Sequence, residues 1–310
     1  MIYTVTLNPA LDKTAVLPDF IPGQVNRIQS VRVDAGGKGI NVSKCLKALG
    51  EDSLAVLLAA GQAGHQLIAL LAEEGIATLP VWVEGETRTN LKLIDPVRGE
   101  NTDINEPGPR IAPQPLAQLL DKMLQRVMPG DIAVLSGSLP AGARSDTYAV
   151  WVDALTRKGV KVFLDADAEA MARGMDAVPY LIKPNETELS RVLGRELKTP
   201  EALLAAGKEL QSRGIAKVVI SMGGAGALFL LEGGIYQADS LSVPVKSTVG
   251  AGDSMVAAMA FAESRGLSEQ QTIRLAMAMG AASVMQDGSQ APREDLVRKL
   301  KEQVIFRKWQ

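Results

Sequence analysis

In the stretch STVGAGDSMVAA, residues 247–258, a single acid, Asp253, follows Gly250, Ala251 and Gly252 and precedes an apolar run of helical character. Glycine permits backbone geometry that a Cβ forbids, and the first N–H groups of a helix lack intrahelical acceptors. Residues 250–253 are therefore expected to form a donor-lined hollow for an anion. A carboxylate beside such a hollow suits phosphoryl transfer: the donors stabilise the moving phosphoryl group while the acid takes the proton of the attacking hydroxyl.

Three further stretches carry chemistry, and each admits a plainer reading. AGGKGINVSKCLKALG, residues 35–50, opens on glycines and becomes a helix with Val42, Cys45, Leu46 and Leu49 on its apolar stripe. It is either a backbone that approaches a polar ligand closely, with Lys38 and Asn41 projecting from the helix start, or a tight turn with a solvated lysine. In KPNETEL, residues 183–189, Asn185 and Glu188 share one side of a first helical turn. There they would either hold a hydrated Mg²⁺ or simply cap the helix. SMGGAGALF, residues 221–229, either lies against a nucleotide or turns a hairpin. His65, the only histidine, and Cys45, the only cysteine, have no partners in sequence and are assigned to structure.

These stretches must be positioned by a common frame. From about residue 111 helical spacing alternates with short apolar runs, DIAVLSGS, VKVFLDAD, YLIKPN and KVVISMG, which argues for a mostly parallel sheet covered by helices on both faces. Ligands of such sheets gather at the carboxyl ends of the strands, and SGSLP, DADAEA, KPNETE and SMGGAG all fall there. The N-terminal third differs. Residues of about 12–35 and 86–106 are polar and turn-rich, as expected of a small β-sheet lid on one undivided domain spanning residues 1–310.

Taken in order, these motifs resemble the ribokinase-like sugar kinases of the phosphofructokinase B type, over nearly the whole chain. AGGKGINVSKCLKALG is similar to that family's first signature and STVGAGDSMVAA to its second. TLNPALD, GETRTNLKL, TDINEPGP and SGSLPAG resemble the branch that phosphorylates fructose 1-phosphate. The resemblance implies an ATP- and Mg²⁺-dependent transfer to the 6-hydroxyl of that sugar, with Asp253 as general base and Gly250, Ala251 and Gly252 as the anion hole. It implies Asp12, Gly37, Lys38, Asn41, Arg88, Lys92 and Ser138 on the sugar side. On the nucleotide side it implies Lys183, Asn185, Ser221, Gly223, Gly224, Gly226, Gly252 and Thr248, with Asn185 and Glu188 organising Mg²⁺ through water. One departure stands out: where the branch usually has Asp-x-Ser-Gly-x-Ala, this chain has DADAEA, with Asp167 and Ala168 replacing Ser and Gly. The alternatives are a tagatose 6-phosphate kinase, against which Lys92 argues, and a sugar-phosphate-binding regulator without turnover, against which the intact GAGD argues.

Composition narrows the partners. With 33 basic against 35 acidic residues and 4% aromatics, the chain has no electrostatic footprint for nucleic acid or a membrane surface. One cysteine excludes an intrachain disulfide, and the start MIYTVTLNPA lacks the layout of a signal peptide. The expected protein is cytoplasmic, takes small molecules, and pairs with a second copy through its lid.

Overall fold

The computed structural model describes residues 1–286 and 290–309, and of Ala168 the backbone alone. Among the described residues a large sheet is built around β1 (Ile2–Thr6). On one side of it lie β4 (Ser53–Ala60) and β5 (Ala77–Val83). On the other lie β8 (Ile132–Gly137), β9 (Lys161–Ala166), β10 (Leu181–Ile182) and β11 (Lys217–Ser221). These seven strands are parallel. A meander of β12 (Ala227–Leu230), β13 (Ile235–Ala238) and the C-terminal β14 (Phe306–Lys308) extends the sheet antiparallel.

Burial on both faces explains why the parallel strands read as continuous apolar runs rather than alternating ones. The alternation is nonetheless there in packing. Tyr3, Val5, Ala133, Leu135, Val162 and Leu164 join one core layer, while Ile2, Ile132, Val134 and Phe163 join the other. The first layer is closed by α3 (Pro113–Leu124), α4 (Thr147–Arg157), α5 (Ala168–Asp176), α6 (Glu186–Leu193) and α7 (Pro200–Ser212). The opposite face is covered by α1 (Lys38–Ala48), α2 (Gly61–Glu73), α8 (Ala251–Ser264), α9 (Glu269–Val284) and α10 (Glu294–Gln303). Among the described residues no helix is long and apolar enough to cross a membrane.

Strand order runs outward from β1 in both directions, so the gap between the carboxyl ends of β1 and β8 is a topological switch point, where open α/β sheets bind ligands. Helix α1 enters over that gap. Its second residue is necessarily Gly39, because a Cβ there would lie 2.4 Å from the Val5 carbonyl oxygen and 2.5 Å from Thr6 Oγ1. Gly39→Ala is expected to destabilise the fold by about 1–3 kcal/mol, the usual cost of overpacking, read as a lower urea midpoint with unchanged slope. An unchanged midpoint would mean that α1 is free to lift off β1.

A second, four-stranded sheet has the order β3 (Ser30–Gly36), β2 (Ala10–Val16), β6 (Arg88–Asp95), β7 (Glu100–Asn105). It is mixed: β2 pairs antiparallel with β3 but parallel with β6, which pairs antiparallel with β7. The register puts Asp12, Thr14, Arg88, Asn90, Lys92, Asp103 and Asn105 on one face. Ala15, Leu91, Leu93, Val31, Val33 and Ile104 fall on the other.

Candidate active site

A cleft of about 480 Å³ lies between the polar face of the small sheet and the carboxyl ends of the large one. Asp12, Gly37, Lys38, Asn41, Arg88, Lys92, Lys183, Asn185, Glu188, Ser221, Gly250, Gly252 and Asp253 all line it, so residues up to 241 positions apart in the chain meet in one place. Ala251, Thr248, Gly223, Gly224, Gly226 and Ser138 are not part of that lining. Ser138 Oγ instead accepts a 3.4 Å bond from Asn8 Nδ2. The glycines of SMGGAG turn β11 into the antiparallel β12, as the hairpin reading requires.

Two helix N-termini open into this cleft. At α8 the capping residue Gly250 has φ 82°, a left-handed conformation that favours glycine, and no side chain caps the helix. The Ser254 N–H donates to the Gly250 carbonyl at 2.8 Å, so the N–H groups of Ala251, Gly252 and Asp253 precede the first helical bond. A Cβ on Gly252 would lie 3.0 Å from Lys183 Nζ, which places the ammonium beside these donors. At α1 the cap is again a glycine, Gly37, with φ 121° and no capping side chain. Backbone donors and a buried cation at α8 form a hollow for an anion, with Asp253 at its edge.

The acids and bases of the cleft are arranged as a charge network. Asp253 is buried, and burial, reinforced by Asp165, pushes its carboxyl up to about 6. Asn41 Nδ2 donates to its Oδ2 at 2.8 Å, and Lys38 and Lys183 also favour the ionised form. Asp253 is thus more basic than an ordinary aspartate, as a general base needs. Asp165 pairs with Lys183 at 3.8 Å, both buried, and is the main reason that Lys38 is held protonated well above the ordinary lysine range. Asp167, the residue that departs from the family pattern, forms a 3.2 Å ion pair with Lys38. Its negative charge is therefore matched by a cation at the cleft wall, and it is not among the lining residues.

On the small sheet Arg88 donates from Nη2 to the Asn8 carbonyl at 3.0 Å and from Nη1 to the Glu106 carbonyl at 3.3 Å. Its Nε is buried and has no acceptor among the described residues. Asn90 Nδ2 donates to Asp12 Oδ1 at 2.9 Å, and burial raises the Asp12 carboxyl. Lys92 faces Asp103 across the β6–β7 ladder at 3.8 Å. Asn185 and Glu188 form a reciprocal capping box on α6, in which Oδ1 of Asn185 accepts from the Glu188 N–H and Oε2 of Glu188 from the Asn185 N–H, both at 2.8 Å. The capping reading is therefore realised, while both residues also line the cleft.

Sequence reasoning missed Lys13, Thr14, Asn90, Asp103, Asn105 and Asp165 as lining residues. A signal for Asn90 existed: Arg88, Asn90 and Lys92 alternate along one strand and so share a face. Cys45 and His65 lie outside the cleft. The buried Cys45 thiol, pushed up to about 12 by burial, shares a hydrogen bond with Ser254 Oγ at 3.3 Å, and His65 stacks on Trp82 with ring centroids 4.1 Å apart.

The chain is similar to known proteins over most of its length. Residues 6–296 match the pfkB family of carbohydrate kinases. The 1-phosphofructokinase of Xanthomonas campestris pv. campestris is 43% identical over 281 residues, covering 89% of this chain and 88% of its own. The 1-phosphofructokinase of Bacillus subtilis is 36% identical over 287 residues, covering 93% of each. The crystal structure of phosphofructokinase-2 from Escherichia coli in complex with fructose-6-phosphate superposes with a TM-score of 0.91 at 30% identity, covering 97% of this chain and 98% of that one. The Escherichia coli enzyme has also been solved in a tetrameric inhibited form.

Proposed function

The chain belongs to the pfkB family of carbohydrate kinases, and on that premise we propose that it transfers the γ-phosphoryl group of ATP to the 6-hydroxyl of fructose 1-phosphate, giving fructose 1,6-bisphosphate and ADP. One observation carries the proposal: the buried carboxyl of Asp253 stands at the edge of the donor hollow of α8 with Lys183 beside it. In the transfer the sugar oxygen bonds to phosphorus, the bond from phosphorus to the β–γ bridging oxygen breaks with its electron pair leaving on ADP, and the hydroxyl proton passes to Asp253. The N–H groups of residues 251–253 and Lys183 stabilise the moving phosphoryl group. Asn185 and Glu188 would hold Mg²⁺ through water, and the metal would supply charge neutralisation along the nucleotide's phosphates. The capping box uses one oxygen of each residue, and a carboxylate has a second. Residues 221–226 and Thr248 lie along the nucleotide in this reading.

The choice of fructose 1-phosphate is supported by the names of the curated relatives and by three cations, Lys38, Arg88 and Lys92, on the sugar side of the cleft. ATP and phosphosugars are cytoplasmic metabolites, so the cytoplasm is the place of action. Incubation with ATP, Mg²⁺ and fructose 1-phosphate, followed by ³¹P NMR, is expected to yield the 1,6-bisphosphate. A bisphosphate carrying the new group elsewhere, or none, would overturn the assignment.

The small sheet acts as a lid that pairs with a second copy. Among the described residues no strand pairs with the outer edge of β3 or of β7, and the face away from the cleft leaves Val31 at 48% and Ile104 at 51% exposure, with Val25 at 82% in the preceding loop. An open edge and apolar face of this kind are covered in stable proteins, and a two-fold copy of the same sheet covers both. Sedimentation is expected to show a dimer at micromolar concentration, and Val31→Glu with Ile104→Glu is expected to give monomer. A wild-type monomer with full turnover would exclude the paired lid.

A further inference from the structure

Asn41 and Asp253 come from helices α1 and α8, 212 residues apart in sequence, and meet in the interior with 6% and 5% exposure. The Asn41 amide is committed at one end only. Nδ2 donates to Oδ2 of Asp253 at 2.8 Å, whereas Oδ1 is buried with no partner among the described residues. A flipped amide would set its carbonyl oxygen against the carboxylate, two acceptors facing each other, so the charge of Asp253 fixes the orientation. A buried carbonyl oxygen without a donor costs free energy comparable to a lost hydrogen bond, a cost the fold bears to hold the amide in this orientation.

Granted the reading of Asp253 as the base, we propose that Asn41 is a positioning residue: its amide ties down Oδ2 and leaves Oδ1 of Asp253 as the oxygen that receives the hydroxyl proton. A carboxylate free to rotate presents either oxygen and loses its alignment with the attacking hydroxyl, whereas one held at Oδ2 keeps the other oxygen aimed.

The groups facing Asp253 set the pH response. Lys38 and Asn41 face it from α1, Asp165 from the end of β9 and Lys183 from the segment after β10. The thiol of Cys45 on α1 lies next to Ser254 on α8. Asn41, Lys38 and Lys183 favour the ionised carboxylate, whereas Asp165 opposes it. Removing the Asn41 donor therefore moves protonation of Asp253 to higher pH, and removing the Asp165 charge moves it to lower pH.

The test compares pH profiles of kcat and kcat/KM for the wild type, Asn41→Ala, the near-isosteric Asn41→Asp and Asp165→Asn, at saturating ATP and Mg²⁺. The acid limb is expected to rise by about one pH unit in Asn41→Ala, the order of a hydrogen bond to a charged group. It should rise further in Asn41→Asp, whose carboxyl must share a proton with Asp253. In Asp165→Asn it should fall. Asn41→Ala should also lose kcat by about tenfold or more on the alkaline plateau, beyond any rise in KM. If Asn41→Ala does not fold, Asn41→Asp decides alone by the direction of its limb. Acid limbs that stay at the wild-type position while KM alone rises would reduce Asn41 to a sugar ligand and overturn the proposal. Asp253→Asn separates the two layers of the argument: full turnover there overturns the base itself, whereas a dead Asp253→Asn beside unmoved Asn41 limbs overturns only the positioning role.

Discussion

Asp253→Asn is expected to lower kcat by about two to four orders of magnitude while ATP still binds, because an amide cannot accept the hydroxyl proton and the donors that hold the phosphates are left in place. Burial makes the same substitution stabilising. The folded-state carboxyl titrates near 6, above its ordinary value of 3.8. Between those values the unfolded chain releases the proton first, so stability falls as pH rises through this window and the whole cost persists above it. Asp253→Asn removes that cost. It is expected to unfold later than the wild type at pH 8, by up to about 3 kcal/mol, and to lose this advantage towards pH 4. Calorimetry beside single-turnover kinetics checks both parts. Near-normal turnover would sink the base, and a destabilised mutant at pH 8 would show that the carboxylate is a structural ion pair.

Arg88→Ala is expected to reduce kcat/KM for fructose 1-phosphate by about 10–150-fold, the loss of one hydrogen bond to a charged group, and to leave residual activity on free fructose nearly unchanged. The guanidinium begins β6 on the polar face of the small sheet, with Nε buried and without a partner among the described residues. Nη1 and Nη2 meanwhile hold the Glu106 and Asn8 carbonyls, fixing the fork in place. Arg88→Lys keeps the charge but not the fork, and is expected to recover only part of the loss. Because those carbonyl contacts also tie the lid to the β1–β2 connection, both substrates must be measured on both variants. Equal losses on phosphorylated and free sugar would assign Arg88 to the lid rather than to the phosphate.

Much of this site is written locally. Gly250 to Asp253 announces itself because a left-handed cap, exposed helix donors and an acid all sit within four consecutive residues, and at α1 a glycine cap, Gly37, is likewise followed at once by a cation, Lys38. Alternation of buried runs with helical spacing likewise gives the parallel sheet. What was not legible depends on long-range register. Asp103 and Asn105 reach the cleft only because β7 pairs with β6 opposite Lys92 and Asn90. Asp165 is the penultimate residue of β9 and opens DADAEA, where attention falls on Asp167 two positions on, yet it is Asp165 that is buried near Lys183, Lys38 and Asp253. Strand β14 follows a helix by three residues and earns its place only by pairing with β13. Ser138 follows β8 as expected, but Asn8 takes its hydroxyl.

The most direct test of the central claim is a comparison of kcat/KM for fructose 1-phosphate, fructose 6-phosphate and tagatose 6-phosphate at fixed saturating ATP and Mg²⁺. A second phosphate position moves the anion relative to Arg88 and Lys38 while leaving Asp253 and the α8 donors unchanged, so discrimination reads the sugar side alone. The account predicts that fructose 1-phosphate is preferred by at least about tenfold, the value of one misplaced charge-assisted bond. Preference for either 6-phosphate, or equal use of all three, would contradict it.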